Sequence, residues 1–166
     1  MSGKNFYLLI TVIAAMLMAA MAGYLWLPRA DVALPLVEGC RLDRQACAAT
    51  LPGGGRIEVA LTPRPVPAAA PVRVAVMVEG ARPSGVEVGF QGVDMNMGLH
   101  RLLLAATDDP ANDLNGPSVP NVPNVHYAGE TSLPVCVTGR MMWQATVTLT
   151  VGRENISVPF RFESGH

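Results

Sequence analysis

The chain has 166 residues, a formal net charge of −1 and 15% charged residues. This length suits one domain with little chain left over, and the nearly balanced charge offers neither a basic field for nucleic acid nor an acidic tail for a basic partner. The mean hydropathy is positive, which is unusual for a wholly soluble domain, and the apolar excess lies at the N-terminus.

The first predicted element is a transmembrane helix over residues 6–27, "FYLLITVIAAMLMAAMAGYLWL", which contains no charge. A helix over this segment would be ~33 Å long at ~1.5 Å per residue, enough to cross the hydrocarbon core of a bilayer. Tyr7 near one end and Tyr24 and Trp26 near the other suit the two membrane interfaces. Residues 1–5 would then be a short cytoplasmic tail.

The alternative for this segment is a cleaved signal peptide, because "AMAG" at residues 20–23 has small residues at a spacing that a signal peptidase accepts. The apolar run continues past that site, however, and exceeds the ~7–15 residues of a usual signal core. We therefore favour an uncleaved anchor. Under either interpretation the rest of the chain is extracytoplasmic, and with the anchor uncleaved the protein is expected to be a single-pass membrane protein.

Three cysteines follow, an odd number for an oxidising compartment. Cys40 and Cys47 are close enough in sequence to form a disulfide loop within residues 28–55, which we expect to be a linker. Cys136 is left over. It is either paired with another chain, kept as a thiol for a reason, or buried as a small apolar residue.

The body of the chain, residues 56–166, is predicted to be an all-β domain, an antiparallel β-sandwich of immunoglobulin-like type. Apolar residues alternate with polar ones, and glycine- and proline-rich turns separate the alternating segments. The predicted strands are "RIEVAL" (56–61), "VRVAVMV" (72–78), "VEVGF" (86–90), "MWQATVTLTV" (142–151) and "ISVPFRF" (156–162). Residues 107–130 break this rhythm and predict a long exposed loop, in which His126 would be solvated.

Two sulfur-bearing clusters stand out in this domain. In "VDMNMG", continued strand alternation would point Met95 and Met97 the same way, although both could instead be adaptable core residues. In "LPVCVTGRMMW", the "TGR" segment predicts a hairpin. A three-residue loop would pair Cys136 with Met142, and Val135 with Trp143, whereas a two-residue loop would pair Cys136 with Met141.

Thiolate and thioether ligands together select Cu(I) over harder ions. The candidate ligands are Met95, Met97 and Cys136 first, with Met142 or Met141 completing the set and His100 in reserve. Clustered cysteines and histidines for zinc are absent from the sequence, as is the histidine spacing of a blue-copper centre. No catalytic triad, carboxylate pair or cofactor motif is present, so we expect no enzymatic activity.

The stretches "VGFQGVDMNMGLHRLLL" and "SLPVCVTGRMMWQATVTLTV" resemble those of the FixH-like/YtkA-like group of membrane-anchored extracytoplasmic β-sandwich proteins. The resemblance covers roughly residues 56–151 and the anchoring helix. It implies Cu(I) handling or assembly of a haem-copper oxidase, with the oxidase or its copper chaperones as partners and no role for nucleic acid. It also implies a location in the bacterial inner membrane, with a single membrane pass and a periplasmic C-terminal domain. The alternative function is a structural or interaction module, such as an accessory subunit of a membrane complex, in which the methionines form a hydrophobic patch.

Overall fold

The structure is a computed structural model that describes residues 3–26, 30–107, 124–134 and 139–165. The chain divides into two compact units, Met1–Ala30 and Asp31–His166. The first contains a helix, and the second is built almost entirely from β-strands, as the sequence predicts. The elements in chain order are α1 (Gly3–Trp26), β1 (Ala30–Ala33), β2 (Cys47–Thr50), β3 (Arg56–Thr62), β4 (Pro71–Glu79), β5 (Gly85–Gly92), β6 (Leu99–Thr107), β7 (Asn124–Ser132), β8 (Met141–Val151) and β9 (Glu154–Ser164).

Helix α1 carries exposed apolar side chains, among them Leu9, Ile10, Val12, Leu17 and Met18. At about 100° per residue these side chains point to different sides of the helix rather than along one stripe. Among the residues that the structure describes, no helix is long and apolar enough to cross a membrane.

The nine strands form one curled sheet with the order β1-β9-β8-β5-β6-β7-β4-β3-β2. Strand β6 joins the two halves of the sheet, because residues 99–104 pair with β5 and residues 105–107 pair with β7. Next to β9, the backbone amides of Leu34 and Val37 donate to the carbonyls of Ser157 and Pro159, so this segment runs in the same direction as β9. Curling brings the inner faces of both halves to one shared core.

The alternation predicted for five strands is confirmed in β5, β8 and β9, whereas β3 and β4 also bury residues of the second face, namely Ala60, Ala75 and Met77. Strand β8 is the clearest case, since Trp143, Ala145 and Val147 are fully buried while Gln144 and Thr146 on the opposite face are half-buried. A strand with one buried face requires this period-two pattern, because successive side chains point to opposite sides of the sheet.

Residues 28–55 are not a simple linker, since Ala30–Ala33 and Cys47–Thr50 are strands at the two ends of the sheet. The predicted disulfide in this segment is confirmed, with an S–S distance of 2.01 Å and a Cα–Cα distance of 5.8 Å between Cys40 and Cys47. Strands gain backbone hydrogen bonds by joining a sheet edge, and β2 does so by pairing with β3. The segment is therefore part of the β unit over its described residues.

The long loop predicted over residues 107–130 is wrong at its C-terminal end, because Asn124–Ser132 is strand β7 and pairs along its whole length with β4. His126 accordingly lies opposite Met77 in the sheet and is half-buried rather than solvated. Residues 108–123 of the predicted loop lie outside the described residues.

Tyr127 of β7 is buried, and its hydroxyl donates a hydrogen bond of 2.8 Å to the carbonyl of Pro83. Burial raises the pKa of Tyr127 because the charged phenolate is poorly solvated there. A group with a raised folded-state pKa contributes stability that is complete below its unfolded pKa of about 10 and is lost as pH rises through the folded value.

We therefore expect the free energy of unfolding to fall at alkaline pH, and the Tyr127→Phe variant to show a weaker fall. At neutral pH the variant should lose about 1 kcal/mol, because the Pro83 carbonyl loses its donor. Urea unfolding at a series of pH values from neutral to strongly alkaline measures both effects. Equal alkaline slopes in the two proteins would contradict the assignment.

Candidate metal site at the methionine end of the sheet

The two sulfur clusters of the sequence meet at one end of the sheet. Strands β5 and β8 pair so that Gly92 lies opposite Trp143, and the amide of Val93 donates to the carbonyl of Met142 at 2.9 Å. A Cβ atom placed on Gly92 would collide with Met141 Cε and with the carbonyl oxygen of Met95. We call this region, residues 92–100 together with Met141–Trp143, the methionine end.

Met95 and Met97 do not continue the alternation of β5, because the strand ends at Gly92. The following residues form a turn in which the amide of Gly98, at a φ of 79°, donates to Asn96 Oδ1 at 3.1 Å. The two methionines therefore occupy different environments. Met95 is 46% exposed, whereas Met97 is half-buried and packs against the core.

Met141 and Met142 point to opposite faces of β8. Met141 is 5% exposed and shares the inner face with Trp143. Met142 is half-buried on the outer face, where it lines a cavity together with Cys40 and Arg161. Of the two candidates for completing the ligand set, Met141 is the one whose methyl group lies against Gly92, where the carbonyl of Met95 also approaches.

His100 lies on the inner face of β6, opposite Phe90. Its Nε2 atom is 3.2 Å from the carbonyl oxygen of Met97, and its ring makes an edge contact with Trp143 at a centroid distance of 6.5 Å. In the neutral form of the ring, donation to that carbonyl places the proton on Nε2 and the lone pair on Nδ1, which is then the nitrogen able to bind a metal.

The strand neighbours predicted for Trp143 are wrong, because it has Gly92 on one side and Phe162 on the other. Residue 135, its predicted partner, lies outside the described residues. Met142 is likewise opposite Glu163 and bonded to Val93. The physical reason is that both edges of this strand are already used by β5 and β9. Cys136 itself lies outside the described residues.

Within the ranges that the structure describes, no three histidine, cysteine, aspartate or glutamate side chains are grouped so as to hold a metal. The methionine end offers thioethers and one imidazole instead. Asn124 was not among the residues predicted from the sequence to have a role, yet Asn124 Oδ1 and His126 Nδ1 are both buried without a hydrogen-bond partner among the described residues. The two residues share one face of β7, because residues two apart in a strand point to the same side. The sequence would have shown this only if residues 124–132 had been recognised as a strand.

Comparison with protein families, with curated proteins and with solved structures gave no match for this chain. The protein is therefore described by its β-rich fold and its methionine end alone. The resemblance to the FixH-like/YtkA-like group stays a prediction.

Substitution of Gly92 tests the geometry of this end directly. In Gly92→Ala the added Cβ meets a backbone carbonyl, which cannot rotate away as a side chain can. We expect a loss of about 1 to 2 kcal/mol in the free energy of unfolding. Gly85→Ala on the same strand is the matched control, since its nearest neighbour would be Thr150 Oγ1 at 4.0 Å. Urea unfolding of both variants should separate them, and equal stabilities would refute the close approach.

Proposed function

We propose that this protein binds Cu(I) at the methionine end and acts as a membrane-anchored periplasmic accessory protein in copper handling or haem-copper oxidase assembly. The observation that carries the proposal is the meeting of two methionine-bearing segments at Gly92, which are about fifty residues apart in sequence. Thioethers are soft ligands and favour Cu(I) over zinc or magnesium.

Each candidate ligand has a distinct place in the proposed site. Met97 and Met141 are shielded from solvent and would form the inner part of the site, with His100 Nδ1 as a nitrogen ligand. Met95 is exposed and would capture the ion from solvent or from a donor protein. Cys136 lies outside the described residues, and its thiol is kept as a candidate ligand because of its place in the sequence before Met141 and Met142.

The finer description of the fold is also part of the proposal. An immunoglobulin-like sandwich is supported by the way β6 passes from one half of the sheet to the other. A membrane anchor is supported by the uncharged segment over residues 6–27 and by apolar side chains on all sides of α1. An oxidase or its copper chaperones as partners follow only from the FixH-like resemblance.

Titration of the full-length chain with Cu(I), in a mild detergent and against a competing chelator, tests the proposal. We expect one tightly held Cu(I) in the oxidised protein, and a loss of affinity of at least roughly tenfold, about 1.4 kcal/mol, in a Met95→Leu, Met97→Leu variant. Met142→Leu is the matched control, because its side chain lies on the outer face. Stoichiometric binding that survives the double substitution would exclude the methionine end.

The second candidate function, an interaction module, is favoured by a row of exposed apolar side chains near the same end. Val93, Leu99 and Leu103 are all more than two-fifths exposed, and Leu103 reaches 75%. Such a row is typical of a docking surface. Co-purification of an oxidase with this chain from gentle detergent, without retained copper, would support this function over metal binding.

A further inference from the structure

A methionine on the outer face of β4 is buried, although that face lies away from the core. Met77 is 2% exposed and is not part of the core that the inner residues Val76 and Val78 help to form. Ala60 and Ala75 on the same outer face are also buried. An alanine side chain has no atom that binds a ligand, whereas the Met77 thioether is a soft and adaptable donor.

His126 of β7 is the direct cross-strand neighbour of Met77. The register of β4 and β7 places the two residues opposite each other, and no strand lies between them. Opposed residues of an antiparallel pair point to the same face and have Cβ atoms about 4.5–5.5 Å apart, so the thioether and the imidazole can reach one ion. On its other side His126 lies opposite Thr107 of β6, so it occupies the interior of the sheet and not an edge.

The two buried polar atoms without a hydrogen-bond partner among the described residues, His126 Nδ1 and Asn124 Oδ1, lie on this same face. Asn124 precedes His126 by two residues, so both side chains stand on the side of β7 that faces away from the core. An amide oxygen only accepts hydrogen bonds, and so does Nδ1 of a neutral imidazole with its proton on Nε2. Buried acceptors without a donor are costly, and a cation bound between them would offset that cost.

The charged residues beside these positions favour a cation. Glu58 of β3 lies opposite Met77, and Glu79 of β4 lies opposite Asn124. Arg56 lies opposite Glu79 on the other side, and its guanidinium is 3.5 Å from Glu58 Oε2. Two carboxylates and one guanidinium leave one net negative charge next to the unpartnered acceptors. A nearby negative charge attracts a positive ion and repels an anion.

We propose that Met77, His126 and Asn124 form a second Cu(I) site on the outer face of the sheet. The Met77 thioether and His126 Nδ1 are the main ligands, because a soft sulfur and an imidazole nitrogen together suit Cu(I), and Asn124 Oδ1 adds a weaker oxygen ligand. His126 is half-buried, so an ion can approach it from solvent. The site shares no residue with the methionine end and does not depend on it. With a single thioether it holds Cu(I) less tightly than the methionine end.

The test uses the full-length chain in mild detergent, with Met95→Leu and Met97→Leu to disable the methionine end. Cu(I) is titrated without oxygen against a weak chelator. We expect one bound Cu(I), and a further Met77→Leu or His126→Gln substitution should weaken its binding at least roughly tenfold. Met142→Leu is the matched control and should leave this ion unchanged, because Met142 lies on β8 in the other half of the sheet.

Methyl NMR identifies the sulfur ligand directly. The nine methionines are labelled with ¹³C at the methyl group, and the Met77 resonance is assigned by its loss in Met77→Leu. Cu(I) is diamagnetic, so the resonances stay observable when it binds. We expect the Met77 resonance to shift on addition of Cu(I) and the Met142 resonance to stay in place.

Failure of this proposal is distinguishable from failure of the methionine-end site. A tightly held ion that survives Met95→Leu, Met97→Leu counts against the methionine end alone. No Cu(I) bound against the weak chelator, an ion indifferent to both Met77→Leu and His126→Gln, or an unmoved Met77 resonance would each overturn the outer-face site. Circular dichroism checks the fold of each variant. If Met77→Leu does not fold, His126→Gln and the histidine-dependent shift of the methionine methyl resonances decide the outcome.

Discussion

The Trp143→Ala variant is expected to lose about 3 to 5 kcal/mol in the free energy of unfolding. Trp143 is fully buried on the inner face of β8, near the N-terminal end of the strand. Its ring stacks on Phe162 at a centroid distance of 6.4 Å and meets the edge contact of His100. Removal of the indole leaves a large void that a close-packed core fills only in part.

The indole nitrogen adds a polar contribution, because Trp143 Nε1 donates to Ser164 Oγ at 2.8 Å in a buried position. Trp143→Phe is the control that keeps an aromatic ring but removes this donor. It should lose about 1 to 3 kcal/mol, since the buried serine hydroxyl is left without its donor. Urea unfolding followed by far-UV circular dichroism measures both variants. An alanine variant within about 1 kcal/mol of the parent protein would show that Trp143 is not central to this core.

This substitution also bears on the proposed copper site. Trp143 is opposite Gly92 and contacts His100, so it supports two of the segments that form the methionine end. We expect Cu(I) affinity to fall in Trp143→Ala together with stability, and to be retained in Trp143→Phe. If Cu(I) affinity is lost with stability in Trp143→Ala but retained in Trp143→Phe, Trp143 acts on the site through packing and not as a ligand.

The strands that the sequence predicted correctly are those with one fully buried face. In β5, for example, Val86, Val88 and Phe90 are buried and the residues between them are not, which is the period-two pattern itself. The disulfide was predictable for a similarly local reason, since the two cysteines are seven residues apart. Local pattern and short spacing are what a single sequence records best.

The strands that the sequence missed have weak or mixed patterns. Strand β6 carries apolar residues on both faces, because Leu99 and Leu103 point outward while Leu104 is buried. Strand β7 buries Tyr127 alone among its larger apolar side chains. Strands β1 and β2 have four residues each, too few for alternation to be recognised. Their pairing depends on long-range partners, which periodicity does not reveal.

The convergence of the sulfur clusters was expected from the sequence, but through the wrong strand pair. A local hairpin ending at Met141 was predicted, whereas the contact arises because β8 pairs with β5. That register joins residues roughly fifty positions apart and sets Gly92 opposite Trp143. A shift of one residue would have turned Met141 outward and Met142 inward, so the identity of the inner methionine is decided by this pairing.

Removal of the disulfide is expected to lower the free energy of unfolding by about 2.5 kcal/mol, the value that loop-closure entropy gives for a short loop of this size. The variant is Cys40→Ala, Cys47→Ala, in which the fully buried position 47 keeps a small apolar side chain. The ion pairs of Arg41 with Asp43 and Glu163 remain, so the native loop conformation is retained and the change acts mainly on the unfolded chain.

Urea unfolding measures the loss, and Cys136→Ala is the matched single-cysteine control, expected to keep the full contribution of the disulfide. Reduction of the parent protein by a dithiol should produce a similar loss and should not change the double variant. Equal free energies of unfolding in the parent protein and the Cys40→Ala, Cys47→Ala variant would contradict this contribution of the disulfide.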